Sequence, residues 1–164
     1  MRPTLQAALG CVLAMTVAGL AALALGQPML FPSLGPTVMM LAQHPGQTAT
    51  APRSIVLAHG AGLVGGWLSL AVCGLLHAPS ALATGLDGAH VVAAALSVAL
   101  TVTATRLLAS PHPPAGATTL IVSLGLLPSL RDLAVMWAAI ACVTGVMTAY
   151  NRCTGQPAPL WRAG

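Results

Sequence analysis

Two proline-bearing strings, about eighty residues apart, hold the side chains best suited to grip a small charged solute. The second reads Ser110-Pro111-His112-Pro113-Pro114-Ala115-Gly116-Ala117-Thr118-Thr119. The first, Pro32-Ser33-Leu34-Gly35-Pro36-Thr37-Val38-Met39, lines up with Pro113 to Leu120, so that proline, glycine and threonine recur at the same offsets. Proline suits the first turn of a helix, where a missing N–H had no partner to lose. The second string therefore predicts an extended lead-in and a helix beginning near Pro114. Free amides and the positive dipole end of such a turn attract anions. Gly35 and Gly116 allow close approach, and the hydroxyls of Ser33, Thr37, Thr118 and Thr119 complete a shell. Taken singly, either string reads equally as a kinked loop; their duplication favours a site. Two helix starts meeting near a membrane midplane would face one solute from opposite directions.

Four more side chains bear on that chemistry. Arg53 and Arg106 fall at predicted span ends, where snorkelling is the plain reading and drawing an anion into a vestibule the functional one. His59 and His112 serve by default as neutral hydrogen-bonding groups. Together with Asp87 they are also the residues through which a proton relay would run. His44 and His77 sit in predicted loops. A helix start contributes about 0.3–2 kcal/mol toward an anion, and each neutral hydrogen bond about 1 kcal/mol. Such a site binds weakly enough to release its cargo.

The elements that position these residues follow from composition. Hydrophobic residues make up 57% of the 164-residue chain and charged residues 5%, with a mean hydropathy of +0.88. Soluble domains are about a quarter charged, so the solvent here is largely lipid. The basic residues are six arginines, too scattered for the clustered face that nucleic acid requires. No nucleophile–base pair and no His/Cys/acid cluster has catalytic or metal-ligand spacing, and Cys11, Cys73, Cys142 and Cys153 form no CxxC. The sequence thus implies no catalytic residue, no metal and no cofactor.

Long apolar runs at Leu5–Leu25, Ser54–Leu76, Gly88–Leu108 and Leu133–Tyr150 match the bilayer core. A cleavable leader is the rival reading of the first, but its apolar core is longer than such leaders need. Between the runs lie two short Pro/Gly-broken segments, Met29–Gln43 and Pro114–Leu127. If both cross, Arg2, Arg53, Arg106, Arg152 and Arg162 share one side and only Arg131 is opposite, as the positive-inside rule favours. Re-entrant segments would split the arginines evenly. Small-residue faces are predicted to look inward: Ala7, Cys11, Ala14, Ala18 and Ala21; His59, Gly62, Gly66, Ser69 and Cys73; and the polar stripe Asp87, His90, Ala94, Ser97, Thr101 and Thr105.

At this point a family likeness becomes specific. His112-Pro113-Pro114-Ala115-Gly116-Ala117-Thr118 resembles the signature of the HPP family of small integral membrane proteins. Pro52-Arg53 with His59, and Phe31 to Val38, resemble two further family elements; Pro36, Ser54 and Ala58 depart from them. The resemblance implies a membrane protein, usually described with four spans, and members linked to nitrite transport.

The expectation is therefore an all-α, polytopic transmembrane bundle forming one domain over 1–164. Four full spans and two broken segments make an inverted internal repeat, with halves at about 1–77 and 85–152 and a cytoplasmic tail over 153–164. The expected function is passage of a small inorganic anion, nitrite first, across the cell inner (plasma) membrane, with both termini cytoplasmic. Partners are that anion and lipid, with no nucleic acid, and a homo-oligomer is compatible. Alternatives are a carrier of another small solute, a non-transporting membrane scaffold and, least favoured, a membrane-embedded enzyme.

Overall fold

Each long apolar run forms a helix, as it must where lipid offers the backbone no hydrogen-bond partner. The computed structural model describes residues 3–127 and 129–162. Arg2, one of the arginines assigned above to the richer side, lies outside them. The elements are α1 (Pro3–Leu25), α2 (Leu34–Gln43), α3 (Pro52–Val72), α4 (Ala81–Thr84), α5 (Gly88–Leu107), α6 (Ala115–Ser123) and α7 (Leu130–Cys153), with a short 3-10 turn at Thr48–Thr50. No strand occurs among the described residues. α1, α3, α5 and α7, of 20 to 24 residues, are long and apolar enough to cross a membrane.

Contacts at the helix ends fix their directions. Gln6 Nε2 donates to the Thr154 carbonyl and Tyr150 donates to the Gln6 carbonyl, while the Arg53 amide and guanidinium donate to the carbonyls of Trp161 and Leu108. The starts of α1 and α3 therefore share one end of the bundle with the ends of α5 and α7. After Gly26 the chain doubles back along α1, where a Cβ on Gly19 would lie 3.6 Å from Leu30. Asn151 Nδ2 then donates to the Leu41 carbonyl at 3.0 Å, holding the end of α2 beside the end of α7. At the other end the Ala81 amide bonds the Leu124 carbonyl. Both short segments thus run from one end to the other. Arg53, Arg106, Arg152 and Arg162 gather at the end that holds the start of α1 and the end of α7, and Arg131 at the opposite one.

α3 is the central helix: half of its most apolar stretch is buried, against a third or less for the other long helices. It packs against α5, α6 and α7, while α1 and α2 pack on α7 and on each other. The predicted small-residue face of α3 explains this. A Cβ on Gly62 would approach Thr119 Oγ1 to 2.7 Å, and one on Gly66 would approach Val122 Cβ to 2.7 Å, so α6 sits directly against bare backbone. On α1 the buried positions are Gly10, Ala14 and Ala18. Gly10, which the predicted stripe omits, faces the Tyr150 ring. On α5 His90, Ser97 and Thr101 are buried, whereas Asp87 is exposed.

Two helix ends differ from expectation in an informative way. The second long apolar run continues to Leu76, but α3 stops at Val72 because Gly74 takes φ +71 and the Leu75 amide reaches back to the Leu70 carbonyl. This is the glycine-closed helix end that satisfies orphan carbonyls. α5 closes in the same way on Ala109, at φ 46 the one non-glycine residue with positive φ among those described. Left-handed backbone costs an L-residue about 1–2 kcal/mol. Ala109→Gly is therefore expected to stabilise the protein by up to about 1 kcal/mol, read as a higher melting temperature in detergent; a lower one would show that the Ala109 methyl matters more than its strain.

Candidate functional site

The two strings meet at His59. α3 carries this residue seven positions beyond its first, about 10 Å in at 1.5 Å per residue, and its side chain is fully buried. Thr37 Oγ1 of α2 lies 3.0 Å from His59 Nε2, and Thr118 Oγ1 of α6 lies 2.7 Å from His59 Nδ1. These threonines hold matching places in the two strings. Thr37 and Thr118 are eighty-one residues apart, as are Pro32 and Pro113, and as are Leu34 and Ala115, which open α2 and α6.

His112 completes the cluster. Its Nε2 lies 3.2 Å from the same Thr37 hydroxyl, and its ring centroid is 5.0 Å from that of His59. Its Nδ1 lies 2.7 Å from the Ala49 carbonyl. A carbonyl only accepts, so His112 Nδ1 bears a proton and donates. Thr37 also donates to the Ser33 carbonyl at 3.0 Å. Ser33 is fully buried, and its own hydroxyl has no partner among the described residues. Thr119, also buried, donates to the Ala115 carbonyl and touches Thr101 Oγ1 at 2.9 Å, joining α5 to the network.

The start of α6 differs from the expected cradle of free amides. The amides of Ala115, Gly116 and Ala117 donate to the carbonyls of His112, Pro113 and Pro114. The prolines, locked near helical φ, prolong the helix backwards as a tight turn, and they themselves lack N–H groups. What this start offers is hydroxyls and imidazole, with the dipole behind them. Gly35 is not crowded either, since a Cβ on it would meet nothing within 4 Å.

The arginines stand outside the cluster, at its mouth. Arg53 donates to Ser110 Oγ at 2.9 Å and to the carbonyls of Leu108 and Ala109, so it braces the approach to His112 rather than touching it. Arg106 is exposed and lines a cavity of about 670 Å³ together with Thr48, Thr101, His112, Pro113 and Gly116. A second cavity, of about 260 Å³, is lined by Arg53, Ser54 and Arg162 and shares Thr48 and Ala109 with the first. Thr48 and Ala49 belong to a loop with no periodic signal to announce them, and Arg162 is legible in the sequence only through its place on the arginine-rich side. Thr101 was visible in it as a member of the polar stripe.

Asp87, a candidate relay group by type, stands apart. It lies at the opposite end, where it caps α5 by accepting from the His90 amide at 2.8 Å and pairs with His90 Nδ1 at 2.9 Å. That amide and ring hold its carboxyl below the usual carboxylate range.

No curated protein matches the chain, and no solved structure does. The family model described as HPP, transmembrane region, matches residues 1–159.

Proposed function

We propose, from the premise that this chain belongs to the HPP transmembrane family, that it is a permease for a small inorganic anion, nitrite before others. The observation that carries this reading is the sharing of one buried imidazole, His59, by Thr37 and Thr118. Matching places in two strings that cross in opposite senses then face the same point. Together with the like pairing of α1 with α7 and of α3 with α5, this supports an inverted repeat with its site at the interface of the halves.

The anion approaches from the arginine-rich end, which the positive-inside rule assigns to the cytoplasm, along with both termini, in an inner membrane. Arg106, Arg53 and Arg162 raise its local concentration, and the cavity beside His112 receives it. The unpartnered Ser33 hydroxyl and the hydroxyls of Thr37, Thr118 and Thr119 are donors for its passage between the halves. In the state described the hydroxyls and rings bond one another, so passage requires α2 and α6 to part around His59.

That dryness favours a second reading, a non-transporting scaffold whose two short helices are simply stapled together. Liposome uptake separates the two. Purified protein in vesicles is expected to take up nitrite faster than empty vesicles. Gly116→Leu is expected to reduce uptake to the empty-vesicle level with the melting temperature unchanged. A Cβ on Gly116 meets no atom within 4 Å, and the residue lines the cavity. Uptake by neither wild type nor variant supports the scaffold; equal uptake by both removes the cavity from the path.

A further inference from the structure

Five contacts join Ala49, His112, Thr37, Ser33, His59 and Thr118, and each needs one proton between its two heavy atoms. Two neutral imidazoles and two hydroxyls supply four. The Ala49 carbonyl claims the proton on His112 Nδ1, and the Ser33 carbonyl claims the Thr37 hydroxyl proton. His59 Nε2 can donate to Thr37, and Thr118 can donate to His59 Nδ1. The contact between Thr37 Oγ1 and His112 Nε2 is then left with two facing lone pairs in a buried place, which is costly. One additional proton on His112 Nε2 fills it. Thr37 then accepts from both rings and donates to Ser33, the full capacity of a hydroxyl, and all five contacts are made.

The added charge needs a counter-charge, and no described side chain supplies one nearby. The chain's only acids are Asp87 and Asp132. They cap the starts of α5 and α7, at the end opposite Arg53, Arg106, Arg152 and Arg162. α2 and α6 bring no titratable side chain. α5 brings Arg106, α3 brings Arg53, and the starts of α2 and α6 add the positive ends of their dipoles. An imidazolium among these groups is stable only beside an anion, and by linkage the anion binds best when the imidazolium is present. We infer that His112 takes up one proton together with one anion, making passage an electroneutral anion–proton symport. This rests on the anion reading above. Both species enter from one face; the proton leaves His112 Nε2 as the anion departs to the other.

Two measurements test this. In vesicles clamped with a potassium diffusion potential of about 100 mV, a lone monovalent anion would change its equilibrium accumulation about fifty-fold. Symport predicts no change with potential and accumulation that follows an imposed proton gradient instead. Accumulation that follows the potential overturns the inference and leaves the permease reading standing. The second readout needs no flux: nitrogen NMR of protein with labelled histidines, with and without nitrite, at a pH of about 6.5, the ordinary histidine value. Nitrite is expected to raise the doubly protonated fraction of one ring, and His112→Asn to remove that response while His59 remains. No response in wild-type protein overturns the inference. If the rings respond but the vesicles show no uptake, the permease reading fails and the coupled binding stands.

Discussion

Replacing Thr37 by valine is expected to lower the stability of the protein by about 1–3 kcal/mol, because it strands the buried His59 Nε2 without its acceptor. Valine matches threonine in shape, so packing around α2 is unchanged and the loss isolates the hydroxyl. His59 Nε2 and His112 Nε2 both face that oxygen, at 3.0 and 3.2 Å, and among the described residues no other side-chain hydroxyl faces both rings. Thr37→Ser keeps the oxygen and is expected to recover most of the loss. Thermal unfolding in detergent, followed by helical signal, measures both. If valine melts with the wild type, the cluster is not what holds α2 against α3. Uptake gives the complementary result: serine should retain transport, and valine should lose it even at temperatures where it remains folded.

The second large effect lies at the α3–α6 seam. Gly66→Ala places a methyl 2.7 Å from Val122 Cβ and 2.9 Å from the Thr119 carbonyl. These are atoms near or on the backbone of a packed helix, which cannot rotate away. Overpacking of this kind costs about 1–3 kcal/mol. Since Thr118 and Thr119 ride on α6, pushing that helix off also stretches the 2.7 Å contact to His59, so uptake should fall with stability. Gly145→Ala is the matched control, on a helix surface where a Cβ meets nothing within 4 Å. Equal melting temperatures for Gly66→Ala and Gly145→Ala would show that the seam is looser than these distances imply.

Much of this architecture is legible in the chain because a membrane simplifies the reading. With lipid outside, every long apolar run must be helical, and only its ends are in doubt. Those ends are where sequence and structure part: α3 stops at Val72 although its apolar run continues, since the left-handed Gly74 just beyond outranks hydropathy. The inward face of α3 was legible because Gly62 and Gly66 are useful only against another backbone. The meeting of the two strings could be inferred from their duplication, but its chemistry could not. Proline in the sequence implies an open amide cradle, whereas His112, Pro113 and Pro114 turn their carbonyls onto the following amides and leave hydroxyls and imidazole in charge. The pairing of His112 with Ala49 was out of reach, because a loop carbonyl has no side chain to announce it.

The cross-pairing of the long helices has a consequence for the covalent chain. α1 seats on α7, and α3 on α5 and α6, so a nick between Leu76 and Leu86 would leave each fragment holding one side of each of these seams. Neither fragment could shield its exposed glycine and serine faces alone. Made in the same cell as two separate polypeptides, they should find each other and be recovered together; made singly, each should be degraded.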